Sequence, residues 1–390
     1  MKINLEKLKK ILDKVDLTQT QRNRATELYT NVCNAIEEKS GLDISFYPQG
    51  SFATKTAIRP YKNGRDQAYD VDVICEVNSI KKELVTPDQL KGYFRDALRD
   101  SRYSNKMKEW DKCFTITFEE QDGVNFSIDI IPSVSEDAST KKSLFSVTDF
   151  PFLVDSSVAI PNTQNCSWLT NNPKGYVKWF EDEIETFHKS FILEKRAGKI
   201  LASVEELPDD ELDNMLLSVV KVLKRTRDVF YYRRKSDGRP ASIIITTIVG
   251  KLAKNLHPTS NELDLLRQVI DQLQQLKGYP VNESSKRMDA TGYAISDIIT
   301  RDNGRWEMNN PANGKDNLLN SWNEEKDKAK DFFAWVENLQ SIFLTDYESD
   351  QEEERVQRLY NAFAVKQPES PLNKPQFSVS GSSTKPWRTR

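Results

Sequence analysis

Between residues 44 and 135 the chain exchanges helical spacing for a period of two, and this switch constrains the fold class more than any other feature. The strand-type segments are ISFYPQGS, YDVDVICEV, CFTITFEE and VNFSIDIIPSV. Ahead of them Leu5, Leu8, Leu12 and Val15 recur at helical spacing. Thr18 with Gln21 then reads as a capping box opening a second helix, which carries Ala25, Leu28, Val32 and Ile36 on one face. Between the second and third strand segments TPDQLKGYFRDALRD reads as a helix with Pro87 at its start. Beyond about residue 172 strands largely vanish, and helices are predicted in GYVKWFEDEIETFHKSFILEKRA, DDELDNMLLSVVKVLKRTRDVFYYRR, PASIIITTIVGKLAKNL, ELDLLRQVIDQLQQL and EEKDKAKDFFAWVENLQSIF. In SIIITTIVG the helical reading runs against its β-branched residues.

This order predicts an α+β protein in three parts. Residues 1–170 form a lobe built on a mixed or antiparallel sheet, the two leading helices included. Residues 171–365 form a helical lobe. Residues 366–390, with Pro368, Pro371, Pro375 and Pro386 among Ser, Gly and Lys, read as a flexible or extended tail.

Composition narrows the chemistry. At 390 residues, 37% hydrophobic and 29% charged, the chain reads as a soluble globular protein. It has no apolar run long enough to span a bilayer, and its start is an amphipathic helix rather than a signal peptide, so a cytoplasmic location is expected. Cys33, Cys75, Cys113 and Cys166 lack the close spacing of zinc or redox motifs, and His188 and His257 are the only histidines. Metal chemistry here must therefore use oxygen ligands, which suit magnesium or manganese. A net charge of −3 argues against general nucleic-acid binding and confines any phosphate contact to a local site.

The acids in the strands supply that chemistry. Alternate residues of a strand share a face, so Asp70 and Asp72 project together while Tyr69, Val71 and Val73 face a core. Two adjacent carboxylates repel unless a cation bridges them; the other reading of Asp-x-Asp is a solvated edge strand. Asp129 stands alone among Phe126, Ile128, Ile130 and Ile131, where a charge calls for a metal or for a basic partner such as an arginine. Gly50-Ser51, after the strand SFYPQ, combines close backbone approach with a hydroxyl, which serves either a turn or a phosphate cradle.

Gly-Ser after one strand, Asp-x-Asp on a second and a lone Asp on a third resemble the polymerase-β-type nucleotidyltransferase signature. More narrowly, QGSFATKTAIRP, DVDVICEV and NPANGKDNLLNSW are similar to the bacterial cyclic-oligonucleotide synthases (CD-NTases) of anti-phage defence, relatives of cyclic GMP-AMP synthase and oligoadenylate synthase. The resemblance runs over roughly residues 1 to 345. It implies a polymerase-β-like lobe that joins nucleoside triphosphates, ATP among them, into a cyclic di- or trinucleotide. Asp70 and Asp72 would hold both of two Mg2+ ions (or Mn2+), and Asp129 the ion that activates the attacking hydroxyl. Gln49, Gly50 and Ser51 would hold the donor phosphates, joined by Lys224 and by Ser242 at the start of the next helix. The eighteen residues between Ser51 and Asp70 exceed the family's usual spacing; PYKNGRDQAY is expected to lengthen a hairpin bent at Asn63-Gly64.

Residues 221–239 hold eight basic and two acidic residues, either a phosphate-binding surface or a solvated helix face. Tyr232, Trp168, Trp179 and Trp306 offer stacking faces, though a core of this size also needs aromatics. Asn171 and Asn172 offer amides to a base edge. With no Cys/His cluster, activation by DNA is not expected. The tail ending STKPWRTR is a candidate handle for an operon-encoded partner. The competing functional readings are a template-independent polymerase or single-nucleotide transferase, and a catalytically silent nucleotide-binding scaffold.

Overall fold

The computed structural model describes residues 5–121, 124–196, 209–257, 259, 261–277, 298–344 and 352–367. The tail assigned to residues 366–390 lies outside the described residues from 368 onward.

Two helices lead the chain, α1 (Leu5–Val15) and α2 (Gln19–Ser40). The capping box read at Thr18 is present: its hydroxyl accepts from the Gln21 amide while the Gln21 side chain accepts from the Thr18 amide. Then come β1 (Ile44–Pro48), a single helical turn α3 (Gly50–Ala53), the short pair β2 (Tyr61–Lys62) and β3 (Arg65–Asp66), β4 (Tyr69–Val77) and α4 (Pro87–Arg99), which begins with a second capping box at Thr86 and Gln89. Strands β5 (Met107–Glu109), β6 (Phe114–Gln121) and β7 (Val124–Ser135), helix α5 (Ala138–Phe145), and strands β8 (Val158–Asn162) and β9 (Ser167–Asn171) complete the sheet lobe.

The sheet has seven strands. Its main path runs β1-β4-β7-β6-β5, with β8 paired to β7 and β9 paired to β8. Among the described residues only the β4–β7 pairing is parallel, so the sheet is mixed. The hairpin β8–β9 was not read from the sequence. Val158 and Ala159 within it are fully buried, so it lacks the alternation that marks a half-exposed strand.

One face of the sheet is a core under α2 and α4. Tyr69, Val71, Val73, Ile128 and Ile130 meet Val32, Ile36, Leu90 and Phe94 there. Aliphatic and aromatic side chains shielded this completely contribute about 1.5–3 kcal/mol each.

The remainder is largely helical: α6 (Pro173–Arg196), α7 (Asp209–Arg234), α8 (Ser242–Ala253), α9 (Glu262–Lys277), α10 (Asn320–Glu324), α11 (Lys326–Phe343) and α12 (Glu352–Ala362). The β-branched run does form α8, because Ile244, Ile245, Ile248 and Val249 are all buried, and tertiary burial outweighs propensity. Strands do not vanish entirely. Among the described residues two small hairpins, β10–β11 (Thr300–Asp302, Arg305–Glu307) and β12–β13 (Asn309–Asn310, Asn313–Asn317), precede α10; their strands are too short to show strand periodicity, and the second is rich in asparagine. A second large core joins these helices, and Leu8 and Ile11 of α1 belong to it, so the first helix packs with the helices rather than with the sheet.

The insert PYKNGRDQAY is the expected hairpin. Asn63 (φ 56) and Gly64 (φ 79) both adopt left-handed backbone, as a tight two-residue turn between β2 and β3 requires. It docks on α7: Asp66 pairs with Arg225 at 2.7 Å, and the Tyr61 amide donates to Asp228. The wide spacing between Ser51 and Asp70 is thus taken up without disturbing β4.

Candidate active site

The three acids meet on the sheet face opposite the α2–α4 core. In β4 the even-numbered residues point away from that core, so Asp70 and Asp72 share a face. The parallel register sets Asp72 beside Asp129 and Asp70 beside Ser127. The lone acid of the apolar run is explained: Ile128 and Ile130 are buried on the far side, while Asp129 projects with Asp72. Two residues on, the same face turns apolar at Ile74 and Ile131, so the acids lie at one end of it.

Burial, followed by the charges of Asp129 and then Asp70, pushes the Asp72 carboxyl up to about 7. Asp129 is also raised, chiefly by burial, with the Thr115 hydroxyl at 2.6 Å acting in the opposite sense. The Ser127 hydroxyl donates to Asp70. Among the described residues no three His, Cys, Asp or Glu side chains form a ready ligand cage. The donor chemistry nevertheless fits a hard divalent cation: three carboxylates on adjacent strands, one driven toward protonation by burial and by the other two. None of the three has an Arg or Lys bonded to it among the described residues, so the bland reading of Asp129 as an arginine-bridged acid does not hold.

The segment Gln49–Ser51 abuts this cluster. Strand β1 ends at Pro48, one residue earlier than SFYPQ suggested, and the chain turns directly into α3. The Gln49 amide donates to the Asp72 carbonyl at 2.9 Å, and Gly50 adopts φ +63°. A Cβ on Gly50 would stand 2.9 Å from Asp72 Oδ2, so only glycine brings the turn this close to the acid. Gly50→Ala is expected to cut turnover at least about tenfold while costing about 1 kcal/mol of stability, the scale of a left-handed L-residue. Thermal melts alongside initial rates separate the two effects.

Behind α3 lies a cleft of about 240 Å³ lined by Gln49, Gly50, Ser51, Lys224 and Ser242, together with Thr54, Thr56, Asn171, Thr246 and Asn310. All five residues to which the family resemblance assigns the donor phosphates therefore fall in one cavity. The threonines and Asn310 were not singled out from the sequence. The signal for Asn310 was present in NPANGKDN and that for Thr54 and Thr56 in QGSFATKTAIRP, whereas Thr246 carried none.

Lys224 is buried, and its ammonium donates to the Thr56 carbonyl at 2.8 Å. Burial, reinforced by Arg227, pulls its pKa down to about 7. Ser242 opens α8; its N-cap residue Ala241 supplies no side-chain cap, and Arg227 donates to the Ser242 hydroxyl at 3.2 Å. A helix N-terminus with uncapped amides beside a buried cation is suited to oligophosphate.

The rest of the basic stretch is largely structural. Arg227 and Arg239 both bind Asp228, Arg225 binds Asp66 and the carbonyls of Arg59 and Phe363, Lys221 pairs with Asp16, and Arg234 with Asp331. Asn172 is structural too: its carboxamide caps α6 by accepting from the Gly175 amide and donates to the Leu153 and Ala312 carbonyls. Asn171 differs, donating to the Gln49 side chain at the cleft wall. Trp179 is buried in the helical core, Trp168 packs on the sheet core, and Trp306 packs against Trp322 and Phe333. Tyr232 is half-exposed but meets Tyr61 edge-on in the docked hairpin.

Residues 1–183 match the family model described as SMODS, Second Messenger Oligonucleotide or Dinucleotide Synthetase domain. The match spans the sheet lobe and the first part of α6. A c-di-GMP synthase of Roseivirga ehrenbergii is 21% identical over 336 residues, 85% of this chain and 76% of that one. The solved CD-NTase CdnG of Bradyrhizobium diazoefficiens in complex with GTP superposes with a TM-score of 0.58 at 18% identity, covering 92% of this chain and 94% of that one. The Vibrio cholerae DncV cyclic AMP-GMP synthase with a linear intermediate gives 0.55 at 16% identity, over 90% and 92% of the two chains. The polymerase-β-like α+β fold and the resemblance to bacterial CD-NTases read from the sequence thus both hold. These likenesses support a nucleotidyltransferase.

Proposed function

We propose that this protein is a nucleotidyltransferase that joins nucleoside triphosphates, ATP among them, into a cyclic di- or trinucleotide messenger, and that it acts in anti-phage signalling. The observation that carries the reading is the contact made by Gly50: the residue that begins the phosphate cradle is the one whose missing side chain admits Asp72. Cradle and acids therefore form one continuous site.

The donor triphosphate lies with its phosphates between Gln49–Ser51, Lys224 and the α8 N-terminus, which orients the α-phosphorus toward the acids. A ribose hydroxyl of the second nucleotide attacks that phosphorus; the new O–P bond forms as the Pα–O–Pβ bridge breaks, pyrophosphate leaves, and the hydroxyl proton passes to Asp129 or to water. A second transfer within the linear product closes the ring. Asp70, Asp72 and Asp129 would hold Mg2+ or Mn2+, which when bound polarises the phosphate and neutralises the charge that develops on it.

Incubation of the protein with all four triphosphates and magnesium, followed by mass spectrometry of phosphatase-resistant products, is expected to yield a cyclic oligonucleotide. Label appearing only in macromolecules, or in a linear chain, would replace this reading with the single-nucleotide transferase or the template-independent polymerase. The tail handle for an operon-encoded partner is a proposal resting on the sequence alone; unchanged activity and unchanged pull-down partners after removal of residues 370–390 would end it. Among the described residues no helix is long and apolar enough to cross a membrane.

A further inference from the structure

Asp129 is held by a neighbour that the chemistry above does not use. Thr115 stands directly opposite it across the β6–β7 pairing, and its hydroxyl lies 2.6 Å from Asp129 Oδ1. On the other side of that hydroxyl the Trp110 indole nitrogen approaches to 3.0 Å. The polarity of this chain is fixed, because an indole N–H can only donate and an ionised carboxylate can only accept. Thr115 Oγ1 therefore accepts from Trp110, and its own proton is committed to Asp129.

Trp110 is 48% exposed, an unusual cost for the largest apolar side chain, yet it is firmly held. Lys91, buried in α4, donates to the Trp110 carbonyl and lies 3.4 Å from both Thr163 Oγ1 and Glu109, which Arg95 clasps from the same helix. The Trp110 amide donates to the Cys113 carbonyl and closes the turn between β5 and β6. The Lys108 ammonium sits 3.7 Å above the indole ring. A buried lysine and a closed turn thus fix the backbone of a tryptophan whose one polar atom is spent on Thr115.

We propose that Trp110 and Thr115 are a positioning pair for Asp129. One carboxylate oxygen is tied to the Thr115 hydroxyl, which sets the rotation of the group and leaves the second oxygen for the acidic cluster. Carboxylates that ligate metal or accept protons depend on such outer partners, whose loss typically costs about 10- to 100-fold in activity or metal affinity. The inference rests on the role proposed for Asp129 above.

The test is steady-state kinetics of cyclic-product formation against both triphosphate and magnesium. Thr115→Val is expected to lower kcat by about 10- to 100-fold and to raise the magnesium concentration for half-maximal rate, with KM for the triphosphate within about twofold. Thr115→Ser keeps the hydroxyl and is expected to restore most of the rate. Trp110→Phe, at a half-exposed position where folding is not at risk, should produce a smaller loss of the same kind. Because the two side chains act in series, adding Trp110→Phe to Thr115→Val should cost nothing further. Wild-type kcat in Thr115→Val, equal impairment in Thr115→Ser, or losses that multiply in the double variant would each overturn the pair. Asp129→Asn is measured alongside. An inactive Asp129→Asn beside an unimpaired Thr115→Val defeats the pair alone, whereas full turnover in Asp129→Asn defeats the role of Asp129 and the pair with it.

Discussion

Asp72→Asn is expected to abolish nucleotidyl transfer and, in metal-free buffer near pH 8, to melt higher than the wild type. The loss of rate should be about a thousandfold or more, the several kcal/mol that a metal-ion site contributes to charge stabilisation. The gain in stability follows from the same crowding of acids. In the folded chain the Asp72 carboxyl is raised from 3.8 to about 7 by burial and by its two acidic neighbours. A raised carboxyl favours the protonated fold, so its contribution is fully present below pH ~4 and is lost as pH climbs through about 7. Above that range the ionised group costs on the order of 4 kcal/mol, and an amide of the same shape removes the cost. For a chain of this size that corresponds to a rise of a few degrees. Scanning fluorimetry from pH 5 to 8.5, with chelator and with magnesium, reads both halves. Wild type should lose ground to the variant as pH rises, and magnesium should restore wild type only. A variant that melts below wild type in chelator at pH 8 would contradict the crowded-acid account.

Lys224→Met should weaken triphosphate binding by about 10- to 100-fold, the scale of removing one charge-assisted contact. It should also remove a pH dependence. Burial and Arg227 lower the folded lysine to about 7, so in the free protein the ammonium is largely present at pH 6 and largely lost by pH 8.5. Oligophosphate binding draws the proton back, and wild-type affinity should therefore fall as pH rises through this window. The ligand's own titration is common to both proteins and cancels in their ratio. A depressed lysine is also a group whose charged form burdens the fold at neutral pH, so the methionine variant should be no less stable without ligand. Binding of a non-hydrolysable triphosphate measured between pH 6 and 8.5 provides the check; parallel pH profiles for the two proteins would show that Lys224 does not meet the phosphates.

The two substitutions act on groups read from the sequence by different routes. Strand alternation is local, so Asp70 and Asp72 on one face, with Val71 and Val73 on the other, followed from the order of residues. The hairpin at Asn63-Gly64 was equally local, since its turn requires left-handed backbone that these two residues tolerate. Lys224 had no such mark. It lies among eight basic residues in residues 221–239, and only the folded chain shows that most of its neighbours are bound to Asp16, Asp66, Asp228 or Asp331. Asn172 was a candidate for a base edge for the converse reason: a carboxamide looks the same in sequence whether it caps a helix or faces a cleft.

The sequence by itself determined the succession of strands and helices, the capped starts of α2 and α4, and the shared face of Asp70 and Asp72, because periodicity and capping act over a few neighbouring residues. Tertiary structure alone decided that β4 pairs in parallel with β7, which sets Asp72 beside Asp129, and that Lys224 and Ser242 close the cleft begun by Gly50. It also decided that Thr115 and Trp110 stand behind Asp129. Strand partners and lobe contacts are settled by burial and hydrogen bonding between residues far apart along the chain, and no local pattern specifies which distant segment will supply them.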